Sequence, residues 1–223
     1  MEGHKKSAII LGATGLTGSA LLQVLLEDDR YGTLKLFSRR PLNISADKIE
    51  EHLGDVLDLE RFKPVFKADE VFCCIGTTKS KTPDRELYRK IDFGIPVEAA
   101  RMCKANGIDT FIVISAMGAD PNSTFFYNKI KGEMEEAVLD IDVPKTHILQ
   151  PSLISGQRKE KRVGEWLAKK LFKVFEVLFI GALRKYRSVH PSEIAKCMLL
   201  LANREQESGR ITSDEIKNLA KGD

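Results

Sequence analysis

The stretch SAIILGATGLTGSALLQVLL, residues 7–26, joins an apolar run to a helical pattern through three evenly spaced glycines, Gly12, Gly15 and Gly18. A strand, a G-x-x-G-x-x-G turn and a helix together form the context that gives such a motif meaning. The first glycine permits a tight turn, the second lets backbone approach a pyrophosphate, and the third lets the helix pack closely on the sheet. The backbone of Thr14, Gly15, Leu16, Thr17 and Gly18 then forms the mouth of a helix N-terminus, whose free N–H groups and partial positive charge suit phosphate. The reading is a dinucleotide-binding turn; an ordinary strand-to-helix turn is its plain alternative.

Outward from this turn, apolar runs alternate with helical patterns. Strands are expected at 7–11, 33–38, within 48–56, and at 69–76, 110–115 and 145–154. Helices are expected at 17–27, 84–107 (bent near Pro96), 126–140, 190–205 and 212–221, with a brief helical connector at 58–66. Between the second and third strands the chain is too short for a full crossover helix, so a loop or single turn is expected. Alternation of this kind argues for an α/β protein, a doubly wound parallel sheet with helices on both faces and a small C-terminal helical elaboration. Residues 1–223 read as one domain, with a lid or substrate region at about 155–190.

With 223 residues, 43% hydrophobic and 30% charged, the chain has the balance of a soluble globular protein long enough for a full core. A net charge of +3 is too small to indicate nucleic acid. The four cysteines, Cys73, Cys74, Cys103 and Cys197, match no zinc or disulfide spacing. Adjacent Cys73 and Cys74, in a buried-strand pattern, read as two small core thiols, and the cysteine usage suits a reducing, cytoplasmic setting. No histidine–carboxylate cluster suggests a metal. The polar opening MEGHKK does not resemble a signal peptide, and VLFIGAL, the longest apolar run, is far short of a membrane span.

The second strand ends LFSRRP, residues 36–41, with Ser38 where an NAD-binding unit carries an acid and with Arg39 and Arg40 beside it. A guanidinium grips a 2′-phosphate, so the pattern favours NADP(H), with NAD(H) retained as an alternative. After the third strand, Asp55 is placed to accept from an adenine amino group with Val56 against the ring, or to cap the following turn. Cys74, Ile75 and Gly76 end the fourth strand, where a glycine lets the loop lie close over a cofactor. Pro151 and Leu153 follow the sixth strand, on the nicotinamide side.

In FFYNKIKGE, residues 125–133, Tyr127 and Lys131 stand four apart, on one helix face. A neighbouring ammonium lowers a phenol's pKa. Tyr127 then gives a proton to a carbonyl oxygen or takes one from an alcohol, while Lys131 also holds ribose hydroxyls. Ser115, at the carboxyl end of the fifth strand, can hydrogen-bond the reacting oxygen.

On GATGLTG, GDVLD, CCIGTT, Ser115 and the Tyr127–Lys131 pair, the chain resembles the short-chain dehydrogenase/reductase superfamily, in its atypical and extended branches. FCCIGTTKSK, FFYNKIKGEMEE and GQRKEKRVGEWL narrow the resemblance to the Tat-interacting protein family of HTATIP-like oxidoreductases. The resemblance implies a Rossmann-type fold, bound NADP(H), and Ser115, Tyr127 and Lys131 as the catalytic set. Asp92 occupies a place where many members carry an asparagine that relays protons, which puts that relay in doubt.

The expected activity is hydride transfer between a nicotinamide and a small carbonyl or secondary alcohol, the substrate unidentified. The rival reading is an NADP(H)-responsive regulator that acts through a protein partner and catalyses little. Within 164–183, Trp166, Leu171, Phe175 and Phe179 alternate with Lys169, Lys170 and Lys173. A core-and-lid helix is preferred there over a homo-oligomer face or contact with a membrane surface. His190 reads as part of a helix start.

Overall fold

Among the described residues, seven β-strands, all paired in parallel, form one sheet in the order β3-β2-β1-β4-β5-β6-β7. The computed structural model describes residues 5–42, 44–155 and 187–222. The strands are β1 (Lys6–Leu11), β2 (Tyr31–Ser38), β3 (Ile49–Leu53), β4 (Glu70–Cys73), β5 (Thr110–Ile114), β6 (Lys145–Gln150) and β7 (Gly209–Thr212). The described helices are α1 (Leu16–Glu27), α2 (Arg85–Arg89), α3 (Ile95–Asn106), α4 (Phe126–Asp140), α5 (Pro191–Asn203) and α6 (Ser213–Lys221). This is a Rossmann-type doubly wound architecture.

The apolar strands are continuous because both sheet faces are covered. Ala8 and Ile10 of β1, Phe72 of β4, Ile112 of β5 and Leu149 of β6 join the core under α1, α5 and α6. Their neighbours Ile9, Leu11, Val71, Phe111, Val113 and Ile148 join a second core under α3 and α4. Alternate residues of a strand thus build two separate cores, which is the two-residue periodicity of an extended chain.

Three departures from the sequence expectations have local causes. First, the link from β2 to β3 is a loop, as expected, but Asp55 does not cap the 3-10 turn Leu59–Phe62; its carboxylate accepts from the Leu57 N–H at 3.1 Å, and Asp58 holds the cap position. Second, the bend in the third helical segment begins before Pro96: Lys90–Gly94 form a π-turn between α2 and α3. Third, β7 was not anticipated. Its GRIT sequence buries only Ile211, too little for a periodic signal. The helix start expected at His190 is present, and a second capped start follows at Thr212. His190 caps α5 with Glu193 in a capping box, and Thr212 caps α6 with Glu215. The lid expected at about 155–190, Trp166 and its lysines included, lies outside the described residues apart from its first and last few positions.

Among the described residues no helix is long and apolar enough to cross a membrane, and no group of three or more His, Cys, Asp or Glu could hold a metal ion.

Candidate active site

Because every strand runs the same way, the loops that follow them gather at one edge of the sheet. The strand order reverses direction between β1 and β4, which opens the crevice where ligands sit in such sheets. Gly12 lines that point. Its φ is +86°, and a Cβ there would stand 3.0 Å from the carbonyl carbon and oxygen of Cys74 and 3.1 Å from Ile75 Cγ1. Only glycine meets both demands. Gly18 is equally constrained, since its Cβ would fall 2.1 Å from the Gly12 carbonyl oxygen.

The turn is closed by the Gly15 N–H donating to the Gly12 carbonyl at 2.9 Å. Gly15 is the N-cap of α1, with no side chain satisfying the helix end. A first-turn helix amide has no partner within its own helix, so the backbone N–H groups from Leu16 onward face out of this end. Thr14 and Gly15 are exposed, while Thr17 and Gly18 are buried under them. An uncapped helix end with no side chain at Gly15 fits a diphosphate.

On the β2 side, Ser38 Oγ donates to the Arg40 carbonyl at 2.6 Å, which shapes the turn. Arg39 and Arg40 are exposed and, among the described residues, make no ion pair. Asp55 is exposed nearby, and half-buried Val56 packs against the α3/α4 core. Beyond β4, Cys74 leans on the opposite core, its Sγ 4.0 Å from Met198 Sδ. All four thiols are free. Burial pushes the Cys73 thiol up to about 11 and the Cys197 thiol up to about 12, so neither is a ready nucleophile.

On the β5 and β6 side stands helix α4, which carries Tyr127 and Lys131. Tyr127 is 43% exposed, whereas Lys131, one turn on, is 3% exposed. The Lys131 ammonium lies 3.0 Å from Asp92 Oδ1 and donates to the Ile114 carbonyl at 3.4 Å. Burial by itself pulls the Lys131 pKa down. The Asp92 carboxylate and the Tyr127 phenol outweigh that pull, and the net displacement is upward. Gly76 borders the pair, for a Cβ there would stand 3.5 Å from Asp92 Oδ1 and 3.9 Å from Lys131 Nζ.

Ser115 makes a contact that its local sequence does not signal. Its Oγ donates to Glu135 Oε1 at 2.5 Å, and both residues are buried. Glu135 also accepts from Gln150 Nε2 at 2.9 and 3.0 Å and from Arg210 Nε at 2.6 Å. Pro151 is buried and its carbonyl accepts from the Met117 N–H at 2.9 Å, whereas Leu153 is 59% exposed. The structure therefore gathers the Gly12–Gly18 turn with Cys74 and Ile75, and Gly76 with Lys131. It places Ser115 on Glu135. Sequence reasoning missed Glu135, although Tyr127, Lys131 and Glu135 recur at four-residue intervals along one helix face. Gln150 and Arg210 gave no local signal.

A family description, NAD(P)H-binding, matches residues 12–163. The rat protein HTATIP2 is 34% identical over 173 residues, covering 76% of this chain and 71% of that protein. The mitochondrial protein FMP52 of Debaryomyces hansenii is 30% identical over 210 residues, covering 91% of this chain and 90% of that protein. Among solved structures, the Bordetella bronchiseptica enzyme WbmH in complex with NAD+ superposes with a TM-score of 0.71 at 13% identity, covering 98% of this chain and 80% of that one. A short chain dehydrogenase family protein from Francisella tularensis gives 0.64 at 14% identity, covering 95% and 99%. The structural likenesses speak for the fold, and the sequence relatives for the lineage: this chain belongs to the NAD(P)H-binding family and is a relative of HTATIP2 and FMP52.

Proposed function

We propose that this protein is an NADP(H)-dependent oxidoreductase acting on a small carbonyl or secondary alcohol. The observation that carries the reading is α4: a solvent-reachable phenol, Tyr127, one turn before an ammonium buried beside the loop after β4. The nicotinamide, when bound, supplies or takes the hydride. The Gly12–Gly18 turn and the first amides of α1 hold the diphosphate, Arg39 and Arg40 take the 2′-phosphate, and Asp55 and Val56 receive the adenine. Cys74, Ile75 and Gly76 lie along the cofactor, and Pro151 and Leu153 border the nicotinamide.

In the reductive direction the carbonyl carbon gains the hydride and its oxygen gains the phenolic proton of Tyr127. The phenolate left behind is stabilised by Lys131 and regains a proton from solvent, which reaches Tyr127 directly. Ser115 commits its one hydroxyl proton to Glu135, so it faces the substrate as an acceptor, suited to an alcohol O–H.

Free thiols suit a reducing compartment, and we place the protein in the cytoplasm, noting that the fungal relatives are named mitochondrial. NADPH consumption over a panel of small aldehydes and ketones tests the activity. Tyr127→Phe is expected to lower turnover by about 10²–10⁴-fold with NADPH affinity retained. Equal turnover in the variant removes Tyr127 from the chemistry.

A further inference from the structure

We propose that Asp92 is a positioning residue that fixes the Lys131 ammonium and, through Thr77, the loop after β4, in a single constellation beside the cofactor site. The proposal rests on the functional reading above. Its origin is local. Pro96 has no N–H to offer the Asp92 carbonyl four residues earlier, so an ordinary helical ladder is already broken there. The backbone widens instead, and the Ile95 N–H bonds the Lys90 carbonyl five residues back. Such π-turns recur at functional sites because they redirect a side chain. Here Asp92 is 1% exposed.

Both carboxylate oxygens are engaged across elements. Oδ1 meets Lys131 of α4 at 3.0 Å, and Oδ2 accepts the Thr77 N–H at 2.7 Å. The other side of the same residue is held too, for Tyr88 of α2 donates its hydroxyl to the Thr77 carbonyl at 3.4 Å. The loop that carries Gly76 is thus gripped by its backbone at Thr77, and the Thr77 and Thr82 hydroxyls, 2.8 Å apart, tie it further. The tyrosine helix and the loop after β4 are tied through one carboxylate.

The charges around the pair come from every neighbouring element. Lys131 faces Asp92 from the π-turn, Tyr127 from its own helix, Cys73 from β4, and the Ile114 carbonyl from β5. Asp92 faces Lys131, the Thr77 N–H, Tyr88 and Cys73. Among these, Asp92 is the carboxylate that opposes the burial of Lys131. Without it, burial favours the neutral amine. Asp92 is therefore placed to keep Lys131 charged.

Lysine labelled with 13C at the ε position reports this directly, with the Lys131 signal assigned through Lys131→Arg. NADPH binding is followed in parallel by its fluorescence. In the wild-type protein the Lys131 signal is expected to stay in its charged form across about pH 7–10. In Asp92→Asn, which keeps an oxygen for the Thr77 N–H, its titration moves down by about one pH unit or more. NADPH affinity in that variant matches the wild type at the acid end of the range and drops severalfold at the alkaline end. Asp92→Glu retains the carboxylate and keeps Lys131 charged. Identical Lys131 titrations in wild type and Asp92→Asn overturn the proposal, as does a fall in Asp92→Glu equal to that in Asp92→Asn. Should the wild-type protein not bind NADPH, the functional reading fails, while the lysine titration still decides the role of Asp92.

Discussion

Ser115 Oγ lies 2.5 Å from Glu135 Oε1, and that one contact sets what the serine can do. A hydroxyl has a single proton, and a carboxylate can only accept, so the proton is spent on Glu135. In the proposed reading, the Ser115 oxygen then meets the substrate as an acceptor. Glu135 in turn is surrounded by three donor side chains, Ser115, Gln150 and Arg210, which is how a buried carboxylate escapes the large penalty of an unpaired charge. Arg39 and Arg40 are the opposite case, exposed side chains with no ion-pair partner among the described residues. In the proposed reading they take the 2′-phosphate. Replacing both by alanine is expected to weaken NADPH binding by about 10–100-fold, the worth of one or two charge-assisted hydrogen bonds, and to leave NADH binding nearly unchanged. Fluorescence titration with the two reduced nucleotides measures the ratio, and parallel losses for both would detach these arginines from the 2′-phosphate.

At the scale of elements, the contact between β1 and α1 is the most exacting. The Gly18 Cβ position, 2.1 Å from the Gly12 carbonyl oxygen, forces the helix away from the turn if any side chain is added. Gly18→Ala is expected to cost about 1–3 kcal/mol by denaturant unfolding, because the obstructing atom is backbone and not a side chain that can swing aside. The same shift displaces the first amides of α1, so nucleotide affinity falls with stability. A variant that stays as stable as wild type and binds NADPH as well would show that the helix approach is not needed. The elements best anticipated from sequence were those whose residues report their own burial. α4 covers Phe126–Asp140, the span expected, since its buried Ile130, Met134 and Val138 recur every four residues. The π-turn before Pro96 was read only as a bend, for proline signals a break in the ladder without saying which turn replaces it.

At the scale of the whole molecule, β6, the strand next to the sheet edge, carries a buried histidine. His147, on β6 between Ile112 and Gly209, is 0% exposed, and neither ring nitrogen has a hydrogen-bond partner among the described residues. Burial, with Lys145 adding to it, pushes its pKa down to about 4. The unfolded chain takes up this proton near pH 6.5 and the folded chain does not, so stability falls as pH drops from about 6.5 to about 4. The full loss is about 3 kcal/mol. His147→Leu should flatten that part of the profile, as read from denaturant midpoints at several pH values; parallel profiles would mean the imidazole is hydrated in the folded state. By itself the sequence determined the order of strands and helices along most of the chain, the glycine turn and the Tyr127–Lys131 spacing, because each is written in neighbouring residues through burial periodicity, backbone freedom or helical geometry. Only the tertiary structure decided that Asp92 answers Lys131 from 39 positions away in the chain, that Ser115 turns to Glu135, and that Arg210 of an unforeseen seventh strand completes the carboxylate's partners. Those pairings join distant segments, and the free energy that selects them, the need to satisfy a buried charge, exists only once the layers have closed over it.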